Sequence, residues 1–215
     1  MVQYFIDGGG FMWPILITLI FGIGISIERA YSLILSTINA NKFYEEISDT
    51  LEKKSVQAAV DLCNETRGPV AGVFHAGLSR FHRGLREVEI AVQNGGSLEM
   101  AFLEKNMIWL NTVITVAPMI GFTGTVVGMI AAFDAIKAAN DISPAVVAGG
   151  ISQALLTTAF GLITAMIVQF FQNFFVSRID GLILDMEENS VKLMDKLHLQ
   201  YCLLYTSPSP RDNTG

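Results

Sequence analysis

Three stretches of the chain are long, apolar and free of charge. No Asp, Glu, Lys or Arg lies within residues 8–27, 106–133 or 142–177. A bilayer hydrocarbon core of about 30 Å requires about 20 helical residues at 1.5 Å rise each, and every stretch reaches that length. Buried core helices of a soluble protein are the alternative, but such helices rarely stay uncharged for so long. The pattern therefore predicts an all-α integral membrane protein with three transmembrane helices.

Turn and interface residues set the predicted bounds. The first span covers residues 11–35, after three successive glycines, and its start carries Trp13 and Pro14, which suit a membrane interface and a first helical turn. An N-terminal segment (residues 1–10) precedes it, and a helical domain (36–105) follows it. The second span (106–133), a loop (134–145), the third span (146–176) and a C-terminal helix (177–200) complete the prediction.

The polar segment that separates the first two spans has helical periodicity. Phe43, Ile47 and Leu51 recur at intervals of four, with acidic residues on the opposite face. The pair Gly68-Pro69 ends one amphipathic stretch, and a later stretch is interrupted in pattern at residues 94–96 (Asn-Gly-Gly). We therefore expect several amphipathic helices in this domain.

The distribution of Lys and Arg predicts the orientation in the membrane. Nine of these residues lie within 29–105 and three within 178–200, whereas Lys137 stands alone between the second and third spans and none precedes the first. Cytoplasmic segments carry the excess of Lys and Arg. We therefore expect the N-terminus outside and both the helical domain and the C-terminal helix in the cytoplasm.

Residues 201–215 are excluded from this interpretation. They include Cys202-Leu-Leu-Tyr-Thr-Ser-Pro-Ser-Pro-Arg-Asp212, which resembles the conceptual translation of a sequencing adapter. A disordered Ser/Pro-rich tail is the alternative, and on either interpretation the segment carries no site. If it is an artefact, the natural C-terminus is expected to be missing.

Composition excludes several classes of function. A net charge of −6 and a pI near 5.0 argue against nucleic acid as a partner. The two cysteines form no CxxC motif, and His75 and His82 lack further ligands nearby, so we expect no metal site. Because nucleotide motifs and catalytic constellations are absent as well, we expect no cofactor and no enzymatic activity. Membrane lipid is an expected partner.

Glycines predict where the second and third spans approach other helices. Small residues at intervals of four let helix backbones come close together in a membrane, as in the GxxxG motif. The candidate packing residues are Gly121, Gly124, Gly128, Gly150 and Gly161.

Polar residues in the same two spans predict a lined path. Gln153 has two amide donors and an acceptor that lipid cannot satisfy, so it must face protein or water. Together with Thr125, Thr157 and Thr158 it forms a candidate polar strip. No ionisable side chain lies deep in any span, although a proton relay normally needs one. Either the chain conducts nothing, or a partner supplies the titrating group.

Two long motifs resemble the MotA/TolQ/ExbB proton channel family. They are Ala117-Pro-Met-Ile-Gly-Phe-Thr-Gly-Thr-Val-Val-Gly-Met129 and Gly150-Ile-Ser-Gln-Ala-Leu-Leu-Thr-Thr-Ala-Phe-Gly-Leu162. The sequence Leu103-Glu-Lys-Asn-Met-Ile-Trp-Leu-Asn-Thr112 and the pair Glu28-Arg29 also look like this family. Three spans are similar to the ExbB and TolQ branches and fit the four-span MotA branch less well.

The resemblance implies an assembly and a function. Family members form a ring, usually a pentamer, around an ExbD/TolR-like single-span subunit whose membrane Asp carries the proton, and they power a TonB- or TolA-like protein from the bacterial inner membrane. Thr125 and Thr158 match the threonines that line the path near that Asp. Gln153 departs from the family, which often has Glu there.

Two alternatives remain open on the residues themselves. One is a membrane scaffold that packs against partners without conducting ions, and the other is the membrane subunit of a substrate transporter. The polar strip favours a channel over a scaffold. The absence of a charged or broken-helix substrate site argues against a transporter.

Overall fold

The protein is a set of α-helices joined by short connections. The computed structural model describes residues 2–139 and 144–206, and within them it has no strand. The helices are α1 (Val2–Asp7), α2 (Met12–Ser36), α3 (Ala40–Lys53), α4 (Val56–Glu65), α5 (Pro69–Leu78), a short 3₁₀ helix (Phe81–Arg83), α6 (Leu85–Leu103), α7 (Met107–Ala139) and α8 (Pro144–Thr206). Three helical stretches are long and apolar enough to cross a membrane, so the predicted fold class is confirmed.

The chain divides into two compact units. The membrane unit comprises residues 1–31 and 106–176, and the helical domain comprises residues 32–105 and 177–215. Helix α8 continues from the third span without a break, so the predicted C-terminal helix is its second half.

Part of two predicted segments lies outside the described residues. Of the predicted loop 134–145, residues 140–143 are not described, while α7 continues to Ala139 and α8 starts at Pro144. Of the excluded tail, residues 207–215 are likewise outside the described part of the chain.

The helical domain has an apolar core with capped helices around it. Phe43, Ile47 and Leu51 of α3 are buried, as their spacing predicts, and the Phe43 ring stacks on Phe74 of α5 at 5.8 Å between centroids. The side chain of Asn39 caps α3 by accepting a hydrogen bond from the Lys42 N–H at 3.1 Å. Burial of one face of each helix holds this domain together.

Helix α8 contributes its second half to this core. Leu193 and Leu197 are fully buried, and the hydroxyl of Tyr44 donates to the Lys192 carbonyl at 3.2 Å. Lys196 forms an ion pair with Glu52 on α3.

The interruption of the amphipathic pattern at residues 94–96 does not end the helix, and α6 is continuous through them. The reason is close packing against α5. A methyl group added at Gly95 would lie 2.9 Å from the Ala76 Cβ, and one added at Gly77 would lie 2.6 Å from a Val92 methyl. Glycine here lets the two helices approach and does not end α6.

In the membrane unit, α2 packs on the other two spans through a glycine. A methyl group added at Gly22 would lie 2.8 Å from Val168 on α8 and 3.1 Å from Val113 on α7. One turn away, the buried Ser26 hydroxyl donates to the Gly22 carbonyl at 2.8 Å, which satisfies it within its own helix. Large apolar side chains such as Ile17 and Phe122 point outward, as lipid-facing positions do.

Candidate functional site

Helices α7 and α8 meet along a line of small residues. A methyl group added at Gly128 would lie 3.2 Å from the Ala154 Cβ, and one added at Gly150 would lie 2.5 Å from the Ala132 Cβ. Residues further along α7 contact residues nearer the N-terminus of α8, so the two helices are antiparallel.

Around Gly121 and Gly161 the contact brings the two helix backbones themselves together. A methyl group added at Gly121 would lie 2.9 Å from the Thr157 carbonyl oxygen, and one at Gly161 would lie 2.7 Å from the Ala117 carbonyl oxygen. A methyl group at Gly124 would lie 2.7 Å from the Thr157 hydroxyl. The structure thus brings all five glycines named for packing to the contact between α7 and α8.

Three threonine hydroxyls converge on one backbone carbonyl within this contact. The Gly121 carbonyl oxygen lies 3.2 Å from the hydroxyl oxygens of both Thr125 and Thr158, and 3.4 Å from that of Thr157. Thr125 and Thr158 also hydrogen-bond to each other across the helix pair. The Ala154 carbonyl lies 3.3 Å from the Thr125 hydroxyl. We call Thr125 and Thr158 the hydroxyl pair.

The hydroxyl pair can redirect its hydrogens. Each threonine carries one hydroxyl hydrogen and two acceptor lone pairs. The two hydrogens of the hydroxyl pair have more than two acceptors in reach, namely two carbonyls and each other's oxygen. Both residues are half-buried. The pair can therefore donate to an acidic group placed beside it without leaving either hydroxyl unsatisfied.

Thr157 differs from this pair in its exposure. Its side chain is 1% exposed, and its hydroxyl donates to the Ala154 carbonyl at 2.7 Å within α8. Thr157 is therefore enclosed in the helix contact beside Gly124, with its hydroxyl within reach of carbonyls on both helices.

Gln153 lies apart from the three threonines. Its side chain is exposed, and its amide nitrogen occupies the space that a side chain at Gly9 would need. Gly9 has a φ of 70°, a conformation that favours glycine. The structure therefore places Gln153 against the N-terminal segment, and it forms no hydrogen bond with the hydroxyl pair.

A charged network outside the predicted site residues lies within α2, at the point where the first uncharged run ends. Arg29 is 2% exposed and pairs with Glu28 through two contacts of 2.7 and 2.8 Å. Glu28 also accepts a hydrogen bond from the Asn106 amide at 3.2 Å. Asn106 has a φ of 66°, which Asn tolerates better than most residues. The clue in the sequence was an adjacent acid and base where the first apolar run stops.

Amide side chains in α8 are a second feature that was missed. Gln169 donates to Asn173 at 2.8 Å, and the buried side-chain oxygen of Gln172 has no hydrogen-bond partner among the described residues. Three amides inside an uncharged run were visible in the sequence.

The site has no titratable group of its own. Asp, Glu, Lys, Arg and His are all absent from residues 106–133 and 142–177. Within the described part of the chain, no cluster of three or more His, Cys, Asp or Glu side chains is placed to hold a metal ion. What the two spans offer is hydroxyls, carbonyls and amides, which donate and accept hydrogen bonds but do not titrate as a carboxylate does.

The three apolar helices of membrane-spanning length agree with the family that the sequence matches. Residues 65–188 match the MotA/TolQ/ExbB proton channel family, which is more than half of the chain. The chain belongs to this family, and it is therefore a membrane protein of a proton-channel family and not of an enzyme family.

Curated relatives have names from the same family. A putative biopolymer transport protein ExbB homolog of Methanothermobacter thermautotrophicus is 29% identical over 198 residues, covering 92% of this chain and 68% of that protein. An ExbB-like protein 3 of Synechocystis is 26% identical over 172 residues, 79% of this chain and 82% of that protein. The Tol-Pal system protein TolQ of Haemophilus influenzae is 43% identical over 68 residues, 32% of this chain and 30% of that protein.

Proposed function

We propose that this chain is a proton-channel subunit that couples the proton motive force to a periplasm-spanning system of the TonB or Tol type. The observation that carries the proposal is the hydroxyl pair on the Gly121 carbonyl, inside two spans without a titratable group. Family membership and relatives named ExbB and TolQ support the same function.

The proton carrier in this proposal is the membrane Asp of an ExbD/TolR-like single-span subunit. A carboxylate is costly in the low-dielectric interior of a membrane. The hydroxyls of Thr125 and Thr158 stabilise its charged form by donating hydrogen bonds, and they accept from its protonated form. The chain thus lowers the barrier to proton release while it contributes no proton itself.

The proposed assembly is a ring of this chain, of which a pentamer is the expected form, around the single-span subunit. The N-terminus is proposed to be periplasmic and the helical domain cytoplasmic, with the complex in the bacterial inner membrane. Trp13 and Trp109 support a membrane-spanning placement, since both are more than half exposed and lie near opposite ends of the apolar helices, where aromatic belts occur. The proposed orientation rests on the excess of Lys and Arg in residues 29–105.

Replacement of Thr by Val tests the proposal because Val keeps the shape and lacks the hydroxyl. Loss of a hydrogen bond to a buried polar group costs about 1–3 kcal/mol. We therefore expect Thr125→Val and Thr158→Val to lower proton flux roughly 5- to 150-fold in vesicles that hold the chain and its partner. Thr123→Val is the matched control, since that hydroxyl is exposed and donates to the Met119 carbonyl of its own helix at 2.8 Å.

The same variants separate a channel from a scaffold. A scaffold tolerates all three changes, because assembly depends on the glycine contact and not on the hydroxyls. If the complex assembles normally and both variants of the hydroxyl pair keep the flux of the Thr123→Val control, the proposed path is wrong.

A further inference from the structure

The membrane unit contains a cavity that is open at the surface of the single chain, is lined mostly by apolar atoms and does not include the hydroxyl pair. Its volume is about 510 Å³, and it lies between α7 and α8. It is lined by Ile114, Pro118, Ala165, Met166, Gln169, Phe170 and Asn173. A volume of this size has room for on the order of ten water molecules.

Two amides give one side of the cavity a polar character. The Gln169 amide nitrogen donates to the Asn173 side-chain oxygen at 2.8 Å. This bond leaves the Gln169 side-chain oxygen and the Asn173 amide nitrogen to other partners. Lipid offers neither donor nor acceptor, and each unsatisfied polar group in hydrocarbon is costly.

The opposite side of the cavity is formed by a part of α7 in which one helical hydrogen bond is missing. Pro118 lies inside α7 and has no N–H, so the carbonyl of Ile114, four residues earlier, loses its helical donor. Both residues line the cavity. Two side-chain amides and one backbone carbonyl without its helical donor therefore belong to residues that line one space, and an ordered water needs two to four polar partners.

The cavity lies on the same helix faces as the hydroxyl pair, nearer to the cytoplasmic end of the spans in the proposed orientation. Pro118 is seven residues before Thr125, which is two turns or about 10 Å on the same face of α7. Gln169 is eleven residues after Thr158, which is three turns or about 16 Å on the same face of α8. The closest part of the cavity is about one turn from Gly121.

We propose that this cavity is a hydrated exit through which protons leave the hydroxyl pair towards the cytoplasm, with Gln169, Asn173 and the Ile114 carbonyl ordering the water. The inference rests on the proposed function, since it adds the exit to the same path. A cavity filled by lipid tails is the competing occupant. It is disfavoured because tails leave all three polar groups unsatisfied.

Water access is tested by single cysteines in the assembled complex. Cys63 and Cys202 are replaced by Ala, and Gln169→Cys and Asn173→Cys are exposed to a membrane-impermeant thiol reagent on inside-out vesicles. Ile167→Cys and Phe174→Cys are matched controls, because both positions are at similar depth on α8, are exposed in the single chain and do not line the cavity. We expect the cavity positions to react at least tenfold faster than the controls.

Proton flux is measured on a second pair of variants, Gln169→Leu and Asn173→Leu. We expect each to lower flux at least fivefold, while Phe174→Leu, at an exposed position that does not line the cavity, leaves flux unchanged. Equal labelling at cavity and control positions overturns the inference, as does fast labelling with unchanged flux in both Leu variants.

The outcomes also separate the inference from the proposed function. Normal flux with an unlabelled cavity rejects the exit and leaves the channel intact. Fast labelling without any flux in the unsubstituted complex rejects the channel and, with it, the role of the cavity as an exit.

Discussion

The substitution Gly121→Ala is expected to push α7 and α8 apart. An added methyl group would lie 2.9 Å from the Thr157 carbonyl oxygen and 3.1 Å from the Thr158 Cα, and both are backbone atoms that cannot rotate away. An ordinary contact begins at 3.4 Å, so the helices must separate by about 0.5 Å at this point. That shift lengthens the hydrogen bond from the Thr158 hydroxyl to the Gly121 carbonyl, now 3.2 Å, beyond a useful distance.

The cost of this change follows from those two effects. Overpacking a close contact costs about 1–3 kcal/mol, and the lost hydrogen bond adds about 1 kcal/mol. For a chain of this length we expect the Tm in mild detergent to fall by roughly 5–15 °C. Fluorescence of Trp109, at the start of α7, reports unfolding of the membrane unit.

Gly149→Ala is the control for this experiment. A methyl group there meets no atom within 4 Å, and Ala favours a helix over Gly by up to about 1 kcal/mol. The control should therefore match or exceed the unsubstituted chain. If Gly121→Ala unfolds at the temperature of Gly149→Ala, the close contact between α7 and α8 is not a feature of the protein.

Three further predictions concern other parts of the chain. Burial raises the pKa of Glu99, so the charged form of this side chain opposes folding at neutral pH. Glu99→Gln should therefore raise the Tm at pH 7.5. This gain in Tm should shrink as the pH falls through the raised pKa and vanish by about pH 4, where Glu99 is protonated in both the folded and the unfolded chain. An unchanged gain at low pH would contradict this origin. Burial also raises the pKa of the Cys63 thiol to about 12, so Cys63 in a folded Cys202→Ala chain should resist iodoacetamide at pH 8. Labelling of Cys63 at the rate of an exposed thiol would show that the site is open. Asn106→Gly loses the hydrogen bond to Glu28 but accommodates the positive φ, whereas Asn106→Ala loses the hydrogen bond and is also strained at this φ. The Ala variant should therefore be less stable than the Gly variant by about 1 kcal/mol in thermal unfolding. Equal stability of the two variants would argue against a constrained turn.

Local pattern was sufficient for the helices and for most of the helical-domain core. The uncharged runs predict the three spans because length and the absence of charge are properties of one segment. The spacing of Phe43, Ile47 and Leu51 predicts their burial because a helix places every fourth residue on one face. Both predictions need no knowledge of a neighbouring helix.

Features that depend on contacts between helices could not be predicted from the hydrophobic pattern of one helix. Residues 94–96 look like a break, yet α6 continues because α5 packs on Gly95. Gln153 is close in sequence to Thr157 and Thr158. However, the Gln153 side chain lies against the N-terminal segment, whereas the threonine hydroxyls lie at the Gly121 carbonyl. Such choices depend on distant segments, and spacing within one helix does not contain them.

Reconstitution of proton flux tests the central claim most directly, namely that the chain guides a proton but does not carry it. The chain is placed in vesicles alone, with a single-span subunit that has a membrane Asp, and with the Asp→Asn form of that subunit. We expect flux only with the unsubstituted subunit, because the uncharged runs in all three spans offer no titratable group. Flux through the chain alone, or equal flux with the Asn form, would contradict the account.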